Sequence, residues 1–207
     1  MSQPKPQDHG VAGIVLAAGG STRFGGCKQL AILAGQPVLA HALRAMSEAS
    51  LARVVVVLGC EQETILERVD LHGAEPISCP DWRGGQGRSL SAGLNAIGDA
   101  TAAVVTLGDQ PRISPRAIEA VIAARRPGLR AVRACYAGVP GHPVLLERAL
   151  FGRLRDRVGD SGARAIVAAV PHVDLACDGI GDPADVDTPD DLWRLESAAG
   201  LDAARPG

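Results

Sequence analysis

The feature that most constrains this chain is an alternation that runs almost from end to end: a short continuous apolar run, then a segment with helical spacing. Residues 11–18 (VAGIVLAA), Arg53–Leu58 (RVVVVL) and Ala102–Leu107 (AAVVTL) do not alternate polar with apolar residues. Such runs suit strands buried on both faces, and strands of that kind belong to parallel sheets covered by helices. The predicted class is α/β: one mostly parallel sheet with helices on both sides.

The remaining elements follow from local signals. A helix is expected after Pro37, with proline at its first position, and others over 61–69 and 89–97. Ser114 and Pro115 form an N-cap and first turn, as do Thr188 and Pro189 ahead of Asp190 and Asp191. Short strands are predicted at 75–79, 130–136, 144–146 and 172–176, and helices near 147–154 and 161–169. A chain of 207 residues suits one sizeable domain and would be cramped as two. We therefore expect a disordered lead-in over 1–10, one domain over 11–198 and a flexible tail over 199–207.

Composition removes several function classes. Aromatic residues are 2% of the chain and the net charge is -2, which argues against a nucleic-acid binder that stacks bases in a basic groove. No run approaches the roughly 18 apolar residues of a membrane span, and the polar N-terminus has no signal core. The five cysteines form no C-x-x-C pair and the five histidines no zinc-like spacing. The expectation is a cytoplasmic protein with reduced thiols, no nucleic-acid partner and no membrane. Cys27 stands apart because it lies in the loop that carries the chemistry.

Ligands of open α/β sheets bind beyond the carboxyl ends of the strands, so the loops after the strong runs hold the candidates. The first is Leu16-Ala17-Ala18-Gly19-Gly20-Ser21-Thr22-Arg23-Phe24-Gly25-Gly26-Cys27-Lys28. Its glycines let backbone N–H groups approach a phosphate chain, Ser21 adds a hydroxyl, and Arg23 and Lys28 add fixed positive charge. It is neither a P-loop nor a G-x-G-x-x-G fingerprint. The second is Gly108-Asp109-Gln110-Pro111, whose carboxylate stands where a phosphate-bound Mg²⁺ would sit. The third, Asp185-Val186-Asp187-Thr188-Pro189, offers another carboxylate near a helix start. A glycine-rich stretch leading into Ser89 is a candidate for base or ribose. Gly141-His142-Pro143 and Gly159-Asp160-Ser161-Gly162-Ala163-Arg164 are candidates for an acceptor surface. Each also has an ordinary reading as a turn, a cap or a solvated side chain.

Together these segments resemble the L-x-G/A-G-x-S-x-R-x-G-x-x-K signature of nucleotidyltransferases with the sugar-nucleotide-transferase fold. LAAGGSTRFGGCKQL, GDQP, GHP, GDSGAR and DVDTPDDL carry the likeness over residues 11–196, with Phe24 where the family has Met. Within that group the chain looks most similar to molybdenum cofactor cytidylyltransferases. The resemblance implies a single-domain, Rossmann-like three-layer sandwich of the nucleotide-diphospho-sugar transferase type. It implies nucleotide contacts from Leu16, Ala17, Ala18, Gly19, Gly20, Ser21, Arg23, Lys28, Ser89 and Asp109, with Arg23, Lys28 and Asp109 acting in catalysis. Asp109 and Asp187 would hold Mg²⁺, or Mn²⁺ in its place, with Asp185 as the alternate for the second position. His142, Asp160 and Arg164 would face the acceptor. Ala18 stands where guanylyl-transferring relatives carry Gly, which points to CTP.

The expected reaction moves a nucleoside monophosphate from a triphosphate to a small phosphorylated acceptor of the molybdopterin type and releases pyrophosphate. The partners would be those two small molecules and, transiently, an acceptor enzyme. Competing readings are a nucleotidyltransferase for another phosphorylated metabolite or sugar phosphate, a dinucleotide-dependent oxidoreductase, and a non-catalytic nucleotide-binding protein.

Overall fold

The computed structural model describes residues 10–155, 160–198 and 200, with the side chains of all of these but 160–162. In chain order its elements are β1 (Val11–Ala17), β2 (Ile32–Leu33), β3 (Gln36–Pro37), α1 (Val38–Ser47), β4 (Arg53–Leu58), α2 (Gln62–Arg68), β5 (Glu75–Ser78) and α3 (Gln86–Ala96). There follow β6 (Ala102–Leu107), α4 (Pro115–Ala123), β7 (Ala131–Tyr136), β8 (Val139–Glu147), α5 (Phe151–Arg155), α6 (Asp160–Ala168), β9 (His172–Ala176) and α7 (Pro189–Ala198).

Seven strands form one sheet in the order β5-β4-β1-β6-β8-β7-β9. β5, β4, β1 and β6 pair in parallel, β8 runs antiparallel to both β6 and β7, and β7 pairs in parallel with β9. The sheet is therefore mostly parallel, with a single reversed strand. Successive residues of the central strands enter opposite cores, as a pleated strand buried on both faces requires. Val15, Val56 and Leu58 pack with Leu39, Leu43 and Met46 of α1 on one face. Ile14, Val55 and Val57 pack with Leu94 of α3 and Phe151 of α5 on the other. The product is a three-layer α/β/α sandwich. Gly93 brings α3 close to the sheet, since a Cβ there would lie 2.6 Å from Ile14 Cγ2.

The strands over 53–58, 102–107 and 172–176 have the predicted bounds. Ser114 caps α4 as expected, its hydroxyl accepting from Ala117 N at 3.2 Å. Thr188 and Asp191 form a reciprocal box at the start of α7. Asp191 N donates to Thr188 Oγ1 at 3.3 Å, and the Asp191 carboxylate accepts from Thr188 N at 2.9 Å.

Four local readings are corrected. The strand expected at 144–146 is the nine-residue β8. Pro140, Gly141 and Pro143 obscure it in the sequence, and the strand tolerates them because the β7–β8 register shifts between Arg133 and Cys135. α3 begins at Gln86, three residues before Ser89, after Gly85 takes a φ of 97°. Pro37 is the cap of α1 and closes the unforeseen β2–β3 hairpin. Glu61 stands outside α2 in a left-handed conformation. The expected lead-in and tail fall almost entirely outside the described residues. Among those residues, no helix is long and apolar enough to cross a membrane.

Candidate active site

The parallel strands β4, β1 and β6 end at one edge of the sheet, so the loops after Leu58, Ala17 and Leu107 meet there. Gly108 permits the turn out of β6: a Cβ would stand 2.8 Å from Leu39 and 2.9 Å from Ala17. That turn delivers Asp109 into the crevice. The Asp109 carbonyl accepts from Val186 N at 2.8 Å, which ties the segment before α7 to the end of β6 and brings Asp187 alongside.

Lys28 joins the two carboxylates. Its Nζ lies 2.5 Å from Asp109 Oδ2 and 2.8 Å from Asp187 Oδ1. Burial works against the Lys28 charge, but Asp109 and then Asp187 more than compensate, and the ammonium pKa is raised. Arg23 Nη2 reaches Asp187 Oδ2 at 2.8 Å, yet its side chain is 72% exposed, so solvent screens that pair far more than the Lys28 contacts. Asp185 turns the other way, as alternation along an extended segment requires. It accepts from Gln110 Nε2 at 2.8 Å, and burial, followed by the Asp109 charge, raises its carboxyl pKa.

These groups line an open cavity of about 930 Å³. Of the residues expected at the nucleotide, Leu16, Ala17, Ala18, Gly19, Ser21, Arg23, Lys28, Ser89 and Asp109 are in its wall. Gly20 is not; it lies against the Trp82 indole and lines a smaller cavity with Cys27 and Cys60. Ser21 reaches the large cavity, but its hydroxyl donates to Gln29 Oε1 at 3.1 Å and accepts from Lys28 N at 3.3 Å. Its proton is thus committed within the loop.

Sequence reasoning gave no role to three residues that build this wall. Trp82 fills the space over Gly20 and Gly59, and the Arg83 guanidinium lies 4.5 Å from its ring centroid. Gln29 lies buried beneath the loop. A tryptophan in a chain this poor in aromatics was the available signal for the first pair; a lone glutamine carries none.

His142 and Arg164 come together in an adjoining cavity of about 400 Å³, walled by Leu90, Val105, Val144, Leu146 and Val167. Arg164 lines both cavities. Burial, and then the Arg164 charge, push the His142 imidazole down to about 4, so it is neutral at pH 7. Asp160 opens α6, and its side chain lies outside those described.

Among the described residues no group of three or more His, Cys, Asp or Glu side chains is arranged to hold a metal. Asp109 and Asp187 form a pair, and Asp109 Oδ1 is buried without a hydrogen-bond partner. An orphaned carboxylate oxygen beside a second carboxylate fits a hard divalent cation that takes its other ligands from phosphate and water.

A three-layer sandwich with this sheet order is the fold of the nucleotide-diphospho-sugar transferase type, and CMP:2-keto-3-deoxy-manno-octonic acid synthetase superposes on it with a TM-score of 0.74 at 15% identity, covering 92% of this chain and 98% of that one. Within that class the chain belongs to the MobA-like NTP transferase domain family, whose model matches residues 13–174. It is 32% identical over 196 residues to nicotine blue oxidoreductase of Paenarthrobacter nicotinovorans, covering 89% of this chain and 96% of that one. It is 33% identical over 162 residues to 3-deoxy-manno-octulosonate cytidylyltransferase of Anaeromyxobacter dehalogenans, covering 78% of this chain and 65% of that enzyme. Among solved structures, Rv0371c of Mycobacterium tuberculosis superposes with a TM-score of 0.82 at 33% identity, covering 90% of this chain and 96% of that one. A structure of Rv0371c in complex with manganese superposes with a TM-score of 0.79 at 31% identity, covering 91% and 99%.

Proposed function

We propose that this protein is a Mg²⁺-dependent cytidylyltransferase that moves CMP from CTP onto the phosphate of a small acceptor of the molybdopterin type. The observation that carries the reading is the Lys28 ammonium held between Asp109 and Asp187 in the wall of the glycine-loop cavity. An oxygen of the acceptor phosphate attacks the α-phosphorus in line, and the bond to the bridging oxygen of pyrophosphate breaks. A terminal phosphate is already ionised near neutral pH, so the step needs no general base, and His142 is not asked to be one. Catalysis rests on positioning and on charge: Lys28, Arg23 and the amides of residues 18–21 bind the polyphosphate as negative charge redistributes. Asp109 and Asp187 would hold the Mg²⁺, or Mn²⁺ in its place. Bound there, the ion supplies charge neutralisation at the phosphates.

Ala18 is buried in the cavity wall, where its methyl narrows the floor and favours a pyrimidine. His142, Arg164 and Asp160 belong to the acceptor side, and Arg164 links the two cavities. A transient contact with the enzyme that receives the product is part of the reading. The five cysteines are all free thiols, which supports a reducing, cytoplasmic setting.

The test is pyrophosphate release with each of the four NTPs, Mg²⁺ and a molybdopterin-type phosphate. CTP should outperform GTP; the reverse order overturns the base assignment. Asp109→Asn should lower turnover on the order of 10²-fold with the melting temperature held. Parental turnover in that folded variant overturns the role of Asp109.

The relative named nicotine blue oxidoreductase supports a second reading, in which the adjoining cavity takes a molecule to be reduced. Oxidation of NADH or NADPH, followed in parallel without NTP, separates the two.

A further inference from the structure

We infer that Gln29 is the positioning residue of the phosphate loop: its buried amide clamps both ends of the loop and so sets the affinity for the triphosphate. This rests on the large cavity being the nucleotide site.

Gln29 is 3% exposed. A buried primary amide is costly unless its donors and acceptors are all used, and here they are used by the loop alone. Nε2 donates to Ala17 O and to Gly19 O, each at 3.2 Å. Oε1 accepts from Ser21 Oγ at 3.1 Å and from Cys27 Sγ at 3.3 Å. The amide cannot be turned over, because a flip would set its oxygen against two carbonyl oxygens. Gln29 therefore ties the end of β1, the start of the loop and its last residue before Lys28 into one unit. With both hydrogens and both lone pairs engaged, it has nothing left to offer a nucleotide. It acts through the backbone.

Packing reaches the loop at Gly20, Phe24 and Cys27, and between those points the clamp holds it. A Cβ added at Gly19, Gly25 or Gly26 would meet nothing within 4 Å, so those stretches are not wedged by neighbours. Ser21 holds a left-handed φ of 52°, unfavourable for a residue with a side chain, and its hydroxyl is the arm that Gln29 grips. Lys28 N donates to that same hydroxyl at 3.3 Å, so the clamp also fixes where the lysine leaves the loop.

Gln29→Met keeps the length and removes every hydrogen bond. CTP and GTP binding to the full chain with Mg²⁺ is measured directly by calorimetry, beside KM for each substrate and the melting temperature. The dissociation constant for the preferred nucleotide should rise about tenfold or more, with KM for the acceptor unchanged. Cys27→Ala removes a single arm and should raise it two- to threefold, whereas Cys27→Ser keeps a donor and should stay nearer the parent. If Gln29→Met does not fold, the two Cys27 variants decide: equal affinities in both overturn the clamp. Parental nucleotide affinity in folded Gln29→Met overturns it too, as does an equal loss for nucleotide and acceptor. Binding needs no transfer step, so a parent that binds NTP but releases no pyrophosphate defeats the transferase reading while the clamp is still tested. A parent that binds no NTP overturns both.

Discussion

On the β1 side of β6 the site is made of charge. Lys28, Asp109, Asp187 and Arg23 form one linked set, and the backbone around them is fixed by Gln29 and by the Val186–Asp109 hydrogen bond. On the β8 side, aliphatic side chains from α3, β6, β8 and α6 share the wall with Arg133, Arg164 and Asp185, which form no linked set, and the imidazole that reaches it is uncharged. The first arrangement suits one ligand chemistry, a polyphosphate, and it turns on Lys28, whose loss would leave the Asp109 carboxylate without its counter-ion. The second sets separate charges among aliphatic side chains, and its shape can be recut by changing a few of those aliphatic residues.

The contrast can be broken most decisively at Lys28. Lys28→Ala leaves Asp109 without its cation and Asp187 with only the exposed Arg23, and kcat/KM for the nucleotide should fall on the order of 10²- to 10³-fold, with KM for the acceptor little changed. Steady-state kinetics with each substrate varied in turn checks this; an equal rise in both KM values would show that the halves are not separate.

The next effect is one of pH and belongs to the β8 side. His142 is lowered from 6.5 to about 4, so between those values the unfolded chain binds more protons than the folded one. Its contribution is complete above the unfolded value and is lost as pH falls toward the folded one, at most about 3 kcal/mol in all. Urea midpoints at pH 7, 5 and 4 should fall, and they should fall less steeply in His142→Gln. Parallel declines in the two proteins would place the acid sensitivity elsewhere. The smallest expected effect is at the junction. Arg164→Ala should raise KM for a phosphorylated acceptor about tenfold and leave KM for the nucleotide within about twofold. A larger rise for the nucleotide would assign Arg164 to the charged half.

How legible the two halves were follows from the range of the forces that make them. β1, β4 and β6 announce themselves because burial on both faces demands unbroken apolar runs. The glycine loop shows because close backbone approach excludes side chains, and the Thr188 box because a cap is local. The meeting of Asp109 with Asp187 rests on a backbone hydrogen bond between distant segments, which has no local signature; only the resemblance to a family suggested it. Gln29 is invisible for a related reason: a buried amide with four partners is spelled like a solvated one. β8 was shortened in the reading because Pro140, Gly141 and Pro143 are normally strand breakers, and the irregular pairing that accommodates them is a tertiary fact.

The reversed strand has a mechanical consequence. β6 pairs with β8 only over Ala102↔Glu147 to Val105↔Val144, so residues 139–143 run past that ladder at the edge where the site lies. They return from β7 through Ala137 and Gly138, at φ 49° and 80°, the left-handed pair that suits a two-residue hairpin. A hairpin overhanging its support can be lengthened, shortened or exchanged without disturbing the register beneath it. The overhang is thus an interchangeable jaw opposite a fixed anvil: transplanting residues 137–143 from a relative should retool what the enzyme accepts while the phosphate machinery stays as it is.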